Sequence, residues 1–165
     1  MSAVVSDSSP LNYLALLSDF ELLRGIYGTL IIPPAVYREV VESGQQYPVA
    51  VAVQSALGTW ISIAVPPDDA EVSALRREHR LDAGESEAIL VAESLAAPLL
   101  MDERRGVQCA RSRGLTVIRT PLIYADAKVL GLIASVRMKL DELRARGFHL
   151  SNQHYEMILK ELGES

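Results

Sequence analysis

Acidic residues stand at several points where the sequence predicts that a strand ends or a helix begins. In a parallel sheet the carboxyl ends of the strands meet at one edge, and ligands bind beyond that edge. Carboxylates gathered there repel one another and raise each other's pKa unless a divalent cation neutralises them. Oxygen ligands of this kind suit magnesium or manganese. The residues that could form such a site are Asp7, Glu39, Glu85, Asp102 and Glu103.

The spacing of apolar residues indicates where two of these carboxylates point. Glu85 lies four residues before Ile89, on one helical stripe with Ala88, so its side chain is expected to face the protein. Glu39 lies three residues past Val36 and borders the apolar face of its helix. Asp and Glu are mostly exposed solvation charges in proteins, and Glu85 would also suit a helix N-terminus. Spacing alone therefore leaves metal binding and a structural role equally open.

The elements that must position these residues alternate between strand and helix. Apolar runs predict strands at residues 4–5, 30–32, 60–65, 99–101 and 115–118. Helices are expected after each run, and the last three of them separate near Gly131 and Gly147. Ser9 before Pro10 matches an N-cap followed by proline at the first helical position. The pattern predicts a three-layer α/β/α fold with a mainly parallel sheet of about four to five strands.

Composition favours one ordinary globular domain. The 165 residues are 49% hydrophobic and 22% charged, which is enough to bury a core and excludes intrinsic disorder. We expect residues 1–165 to form a single domain, with C-terminal helices at about 135–162 appended to its core. The single Cys109 excludes an internal disulfide and favours a reducing, cytoplasmic location. The N-terminus lacks the basic region of a signal peptide, and no apolar run approaches the roughly 20 residues of a membrane span.

The net charge of −5 conceals an uneven distribution. Residues 104–146 contain ten Lys and Arg against three Asp and Glu, so this segment carries +7 and the rest of the chain −12. Arg104 and Arg105 directly follow the acidic residues at the end of the fourth strand and could hold substrate phosphates as bidentate donors. Solvated helix faces are the alternative for these arginines. The acidic total therefore does not exclude RNA as a partner.

Four segments in order resemble the motifs of the PIN-domain family, in particular its VapC-like branch of compact bacterial and archaeal proteins. The segments are VVSDSSPL at 4–11, LIIPPAVYREV at 30–40, LDAGESEAI at 81–89 and LLMDERRG at 99–106, with a similar tail from 131 to 148. The resemblance thus covers nearly the whole chain. Two positions depart from the pattern, because many PIN nucleases have Asp where Glu85 stands and this branch often has Gly where Arg119 stands.

The resemblance implies a metal-dependent endoribonuclease. Asp7, Glu39, Glu85 and Asp102 would be its catalytic residues, lining an acidic pocket that holds one or two Mg²⁺ or Mn²⁺ ions. Asp7, Glu85 and Asp102 would be the metal ligands, with Glu103 as the alternative to Asp102. The metal would polarise an RNA phosphodiester and supply a hydroxide-like water for in-line attack. Ser9 would add a hydroxyl to the pocket.

The resemblance also implies a role as the toxin of a toxin–antitoxin pair or as an orphan relative. Such a protein would be a homodimer, restrained by an antitoxin protein. Two other functions remain open at this stage. One is a catalytically inactive PIN-like module that binds nucleic acid or a protein partner. The other is a phosphohydrolase of the haloacid-dehalogenase type, although that chemistry needs a second Asp where Ser9 stands.

Other residues receive no role. Glu87 could replace Glu85 as a ligand, but a spacing of two residues turns it to a different helix face. The histidines are too far apart to form a helical metal pair, and no base stands near Cys109, which is expected to be a small buried hydrophobe. The three histidines are His79, His149 and His154.

Overall fold

A five-stranded parallel sheet runs through the part of the chain that the computed structural model describes, residues 3–43 and 47–164. Its strands are β1 (Val4–Ser6), β2 (Leu30–Ile32), β3 (Ile61–Ile63), β4 (Leu99–Leu100) and β5 (Val117–Ile118). Their spatial order is β3-β2-β1-β4-β5, with Val5 paired to Ile31 on one side and to Leu99 on the other. The expected parallel α/β fold is confirmed.

Helices connect and cover the strands. They are α1 (Ser8–Leu16), α2 (Glu21–Tyr27), α3 (Pro34–Tyr37), α4 (Pro48–Ala56), α5 (Asp69–His79), α6 (Ala83–Leu95), α7 (Arg104–Ser112), α8 (Thr120–Val129), α9 (Val136–Ala145) and α10 (Asn152–Glu161). A π-helical turn over Arg38–Glu42 continues α3. The last three helices separate as predicted, because Gly131 and Gly147 adopt φ values of 74° and 93°, which glycine reaches without steric cost.

The start of α1 differs from the prediction. Ser9 is not the N-cap: the helix begins at Ser8, Asp7 stands in the N-cap position, and Pro10 is the third helical residue. Proline is tolerated there because the first four N–H groups of a helix have no intrahelical partner. Among the described residues the Asp7 side chain makes no capping hydrogen bond to α1. The hydroxyl of Ser9 is engaged elsewhere, by Asp102.

Two apolar clusters fill the layers on either side of the sheet. Neighbouring strand residues point to opposite faces, so Val4 belongs to one cluster and Val5 to the other. The larger cluster also takes in buried residues of α9 and α10, including Leu140 and Leu159. Cys109 packs in the smaller one and is 3% exposed, as expected of a small hydrophobe. In the described ranges no helix is long and apolar enough to cross a membrane.

Candidate active site

A crevice opens where the strand connections diverge. From β1 the chain moves outward to β2 and β3, whereas from β4 it moves outward to β5 on the other side. Between two such strands the connecting segments leave in opposite directions, and ligands of open α/β sheets bind there. Asp7 follows β1 and Asp102 lies just past β4, and the backbone N–H of Asp7 donates to the carbonyl of Leu100 at 3.0 Å.

The acidic residues singled out in the sequence meet in this crevice. It is a cleft of about 440 Å³, also lined by Ser8 and Ser9. The carboxylates that line it are Asp7, Glu39, Asp82, Glu85, Asp102 and Glu103. Four segments of the chain supply these six carboxylates: the end of β1, the π-helical turn, the start of α6 and the β4–α7 turn, which meet at the same edge of the sheet.

Asp7 lies deepest among these carboxylates. Its residue is 5% exposed, and burial raises the pKa of its carboxyl to about 8. The charges of Asp82, Glu85 and Glu39 raise this pKa further, while the backbone N–H of Ser8 opposes the shift. The charged side chains that act on this carboxyl, Asp82, Glu85 and Glu39, are all negative. The environment thus favours either protonation or a bound cation.

Glu39 approaches Asp7 from the π-helical turn. Its Oε2 accepts a hydrogen bond of 2.8 Å from the Ser8 hydroxyl, which holds the glutamate over the cleft. Gly84 lies against both carboxylates: a Cβ added there would stand 3.4 Å from Asp7 Oδ1 and 3.4 Å from Glu39 Oε2. The absence of a side chain at this first-turn position of α6 leaves the space between the two oxygens open.

Glu85 both caps helix α6 and lies buried at the acidic cleft. Its Oε2 accepts from the backbone N–H of Asp82 at 2.9 Å, and its own N–H donates to Asp82 Oδ1 at 2.8 Å, which forms a capping box at the start of α6. The residue is also only 9% exposed, as its position on the apolar stripe predicts. Burial, followed by the charges of Asp82, Glu103 and Glu39, raises the pKa of Glu85.

Asp102 is held by three hydrogen bonds. Ser9 Oγ donates to its Oδ2 at 2.9 Å, Thr120 Oγ1 donates to the same oxygen at 2.7 Å, and the Thr120 N–H donates to Oδ1 at 2.8 Å. Glu103 is engaged differently, since its Oε2 accepts from the Gly106 N–H at 2.9 Å and caps α7. Ser8 and Thr120 were not singled out from the sequence. Thr120 follows β5 much as Asp7 follows β1, and that position was the available signal.

The donor chemistry of the cleft fits a hard divalent cation. All of its candidate ligands are carboxylate oxygens, and the mutual repulsion around Asp7 is what a cation would relieve. Within residues 3–43 and 47–164, however, no three Asp, Glu, His or Cys side chains are grouped closely enough to hold an ion as they stand. The cleft therefore matches a divalent cation in the type of its ligands and in its charge. Its carboxylates are not arranged around one point, and several of them accept hydrogen bonds from the chain.

Comparison with known proteins gives the family. A family model described as a PIN domain matches residues 3–164. The chain belongs to the PIN-domain family. Proteins of this family are generally nucleases and typically use divalent metal ions.

Two solved structures are similar to this PIN domain in fold. PAE2754 from Pyrobaculum aerophilum is 18% identical with a TM-score of 0.55, and the match covers 77% of this chain and 96% of that one. A PilT N-terminus domain protein from the hyperthermophilic archaeon Sulfolobus solfataricus P2 is 23% identical with a TM-score of 0.48, over 74% of this chain and 90% of that one. No curated protein matches the chain.

Charged residues around the cleft separate into different groups. Glu87 lies on another face of α6, as predicted, where it accepts from the Ala35 N–H at 2.7 Å and anchors the start of α3. Arg104 lines a second cleft together with Asp102, whereas Arg105 lies in a separate one beside His79. Arg119 stands at the rim of the acidic cleft.

Proposed function

We propose that this PIN domain is a metal-dependent endoribonuclease of the VapC-like kind, which hydrolyses RNA phosphodiester bonds as a toxin or orphan toxin. The observation that carries the proposal is the convergence of Asp7, Glu39, Glu85 and Asp102 in one cleft at the carboxyl edge of the sheet. Membership of a family of nucleases supports the reaction class. The basic groups beside the cleft support a nucleic-acid substrate.

Each carboxylate has a role that its surroundings favour. Asp7 and Asp102, with Glu85, would hold Mg²⁺ or Mn²⁺, and the bound ion would supply Lewis acidity toward a phosphate oxygen and lower the pKa of water. Asp102 suits this role better than Glu103, because Ser9 and Thr120 fix its orientation while Glu103 caps α7.

Glu39 lies opposite these ligands as a candidate for orienting water. Ser8 holds its carboxylate at the mouth of the cleft, where a water beside a phosphate could accept or donate a hydrogen bond. The open space left by Gly84 allows the approach of water or a phosphate oxygen to Asp7 and Glu39. Ser9 acts in this proposal by holding Asp102.

A cleavage assay tests the proposal. The full chain is incubated with unstructured and hairpin RNA in manganese, magnesium or EDTA, next to Asp7→Asn, Asp102→Asn and the control Asp69→Asn, which changes an exposed residue of α5. We expect cleavage by the wild type and the control only with metal, and a loss of at least about 100-fold in both site variants. Cleavage that survives EDTA, or that equals the wild type in Asp7→Asn, contradicts the mechanism. Release of phosphate from small monoesters instead would indicate a phosphohydrolase.

The second candidate is a PIN domain that binds nucleic acid or a protein without cutting. Glu85 favours it, because its Oε2 is engaged in the capping box of α6, which leaves Glu85 one oxygen fewer for a metal. This candidate predicts that wild type and Asp7→Asn bind RNA equally and that neither cleaves it in manganese.

Expression in bacterial cells tests the toxin role: growth arrest by the wild type and normal growth with Asp7→Asn would support it. Pull-down of the tagged protein from the same cells tests for a bound antitoxin. Light scattering measures the molar mass in solution and so tests whether the protein is a dimer.

A further inference from the structure

A second cleft, of about 400 Å³, opens beside the acidic one. The two share three lining residues, Asp102, Arg119 and His149, so they form neighbouring parts of one surface. Arg104, Arg111 and His154 also line the second cleft. We call the group Arg104, Arg111, Arg119, His149 and His154 the basic cleft. None of the sequence motifs includes Arg111, His149 or His154 as a functional residue.

Helix α7 supplies two of these residues from one face. Arg104 and Arg111 are seven positions apart, which is close to two helical turns, and Val107 and Gln108 line the cleft between them. Arg105, one position further on, is turned away and lines another cleft. Arg104 and Arg111, both exposed, thus stand one above the other along the cleft wall.

The charges of the basic cleft are not neutralised by the protein. Many other basic residues of the 104–146 segment are used internally: Arg113 pairs with Glu93, Lys128 with Glu164, and Lys139 with Asp19. By contrast, no hydrogen bond or ion pair within the described ranges involves the side chains of the five basic-cleft residues. Three arginines of the basic segment, Arg104, Arg111 and Arg119, therefore present charge in this one cleft without an acidic partner in the described ranges.

Arg119 joins the two clefts. Its guanidinium carbon lies 5.5 Å from the centroid of the Phe148 ring, a cation–π contact that limits its movement. Its Nε is buried and has no partner among the described residues. A buried N–H without an acceptor is costly, so a shift of the Arg119 side chain toward an anion in the cleft would gain a hydrogen bond at little loss. Arg119 thus stands ready to bind an anion at the border with Asp102.

We propose that the basic cleft binds the phosphate backbone of an unpaired nucleic-acid strand as that strand enters the acidic cleft. The inference deepens and rests on the proposed nuclease function. Arginine forks and histidines in a concave, positively charged groove suit successive phosphates. The strand is unpaired because its phosphate must approach Asp7, a carboxylate only 5% exposed at the base of the acidic cleft, which the rigid surface of a double helix does not do.

Binding measured without cleavage tests this proposal. The full-length Asp7→Asn protein in EDTA is titrated against a fluorescein-labelled oligouridine of 12 nucleotides, by fluorescence anisotropy between 50 and 200 mM salt. Two double variants are made in the Asp7→Asn background. The first combines Arg104→Gln with Arg111→Gln, and the control combines Arg76→Gln with Arg77→Gln at exposed positions of α5. Removing two phosphate contacts should weaken binding about 10-fold at 100 mM salt and reduce the salt slope by roughly 1.4, because each single-strand contact contributes about 0.7. The control pair should change Kd less than about 2-fold.

Several outcomes overturn the proposal. Equal weakening by both arginine pairs, with unchanged thermal midpoints, would show only a diffuse effect of net charge. Duplex RNA that competes as well as the single strand would contradict an unpaired ligand. Inorganic phosphate is added at a concentration equal to that of the phosphate groups in the oligonucleotide. Displacement of the oligonucleotide under this condition would indicate a site for a free anion.

The nuclease function and the basic cleft can fail separately. If the arginine pair weakens binding as expected but the wild type never cleaves RNA with manganese, the nuclease proposal fails and the basic cleft stands. If the wild type cleaves and Arg104→Gln with Arg111→Gln leaves KM unchanged in an active background, the basic cleft fails and the nuclease proposal stands.

Discussion

Asp7→Asn should make the metal-free protein more stable while it abolishes the proposed activity. The folded protein raises the pKa of this carboxyl from 3.8 to about 8, mainly through burial. The unfolded chain therefore loses its proton at a lower pH than the folded chain, and ionisation of Asp7 works against folding. Asparagine keeps the carbonyl oxygen and the size of the side chain but carries no charge, so this cost disappears.

The magnitude follows from the pKa difference. Each pKa unit corresponds to about 1.4 kcal/mol, and ionisation of Asp7 opposes folding from pH 3.8 upward, so at pH 7 it costs on the order of 4 kcal/mol of folding free energy. For a chain of this size that is a rise of roughly 8–16 °C in Tm for Asp7→Asn. The sign also sets the pH dependence. The cost is absent below pH 3.8 and grows as the pH rises toward 8, above which it no longer changes.

Urea unfolding in EDTA at pH 4, 6 and 8 measures this effect. The difference in unfolding free energy between Asp7→Asn and the wild type should be near zero at pH 4 and largest at pH 8, because carboxyls away from Asp7 contribute equally to both proteins and cancel in the difference. Manganese should then stabilise the wild type and leave the variant unchanged. Asp69→Asn serves as the control, with a change within about 0.5 kcal/mol at every pH. A variant less stable than the wild type at pH 8, or a difference that does not vary with pH, would refute the reasoning.

Three further substitutions have expected outcomes. Gly84→Ala places a methyl group 3.4 Å from Asp7 Oδ1 and from Glu39 Oε2, where water or a phosphate oxygen would approach, so we expect normal folding but a cleavage rate at least about 10-fold lower. Thr120→Val removes one donor to Asp102 and should lower the cleavage rate about 10- to 100-fold with a small change in Tm. Glu87→Ala leaves the Ala35 N–H without its acceptor and should cost about 1–3 kcal/mol in urea unfolding, whereas Glu87→Gln should recover most of it.

Matched controls distinguish these effects from general damage. Thr116→Val changes an exposed threonine that directly precedes β5, at the opposite end of the strand from Thr120, and should leave cleavage unchanged. Equal losses for Thr116→Val and Thr120→Val would contradict the role given to the Thr120 hydroxyl. For Gly84→Ala, a cleavage rate equal to the wild type would show that the space between Asp7 and Glu39 is not used by water or substrate. Failure of Glu87→Gln to recover stability would mean that charge, and not the hydrogen bond to Ala35, matters there.

Only the tertiary structure revealed how single side chains are used. The sequence predicts Ser9 as a helix cap, but its hydroxyl donates to Asp102, a residue 93 positions away, and the helix begins one residue earlier. Thr120 contacts the same carboxylate from a third segment. The basic segment likewise looks uniform along the chain, yet Arg113 is paired with Glu93 while Arg104 is directed into a cleft. Such partners are distant in sequence, so no local pattern contains them.

The sequence alone determined the order of strands and helices, the parallel α/β fold and the placement of Asp7 and Asp102 at strand ends. These features follow from periodicity and turn residues, which are properties of neighbouring positions. Which strands become neighbours, and therefore which carboxylates share one cleft, depended on packing of the two apolar clusters around the central β1. Packing also decided which charges are neutralised within the protein and which remain available to a substrate, because that outcome depends on distances between segments that only the folded chain brings together.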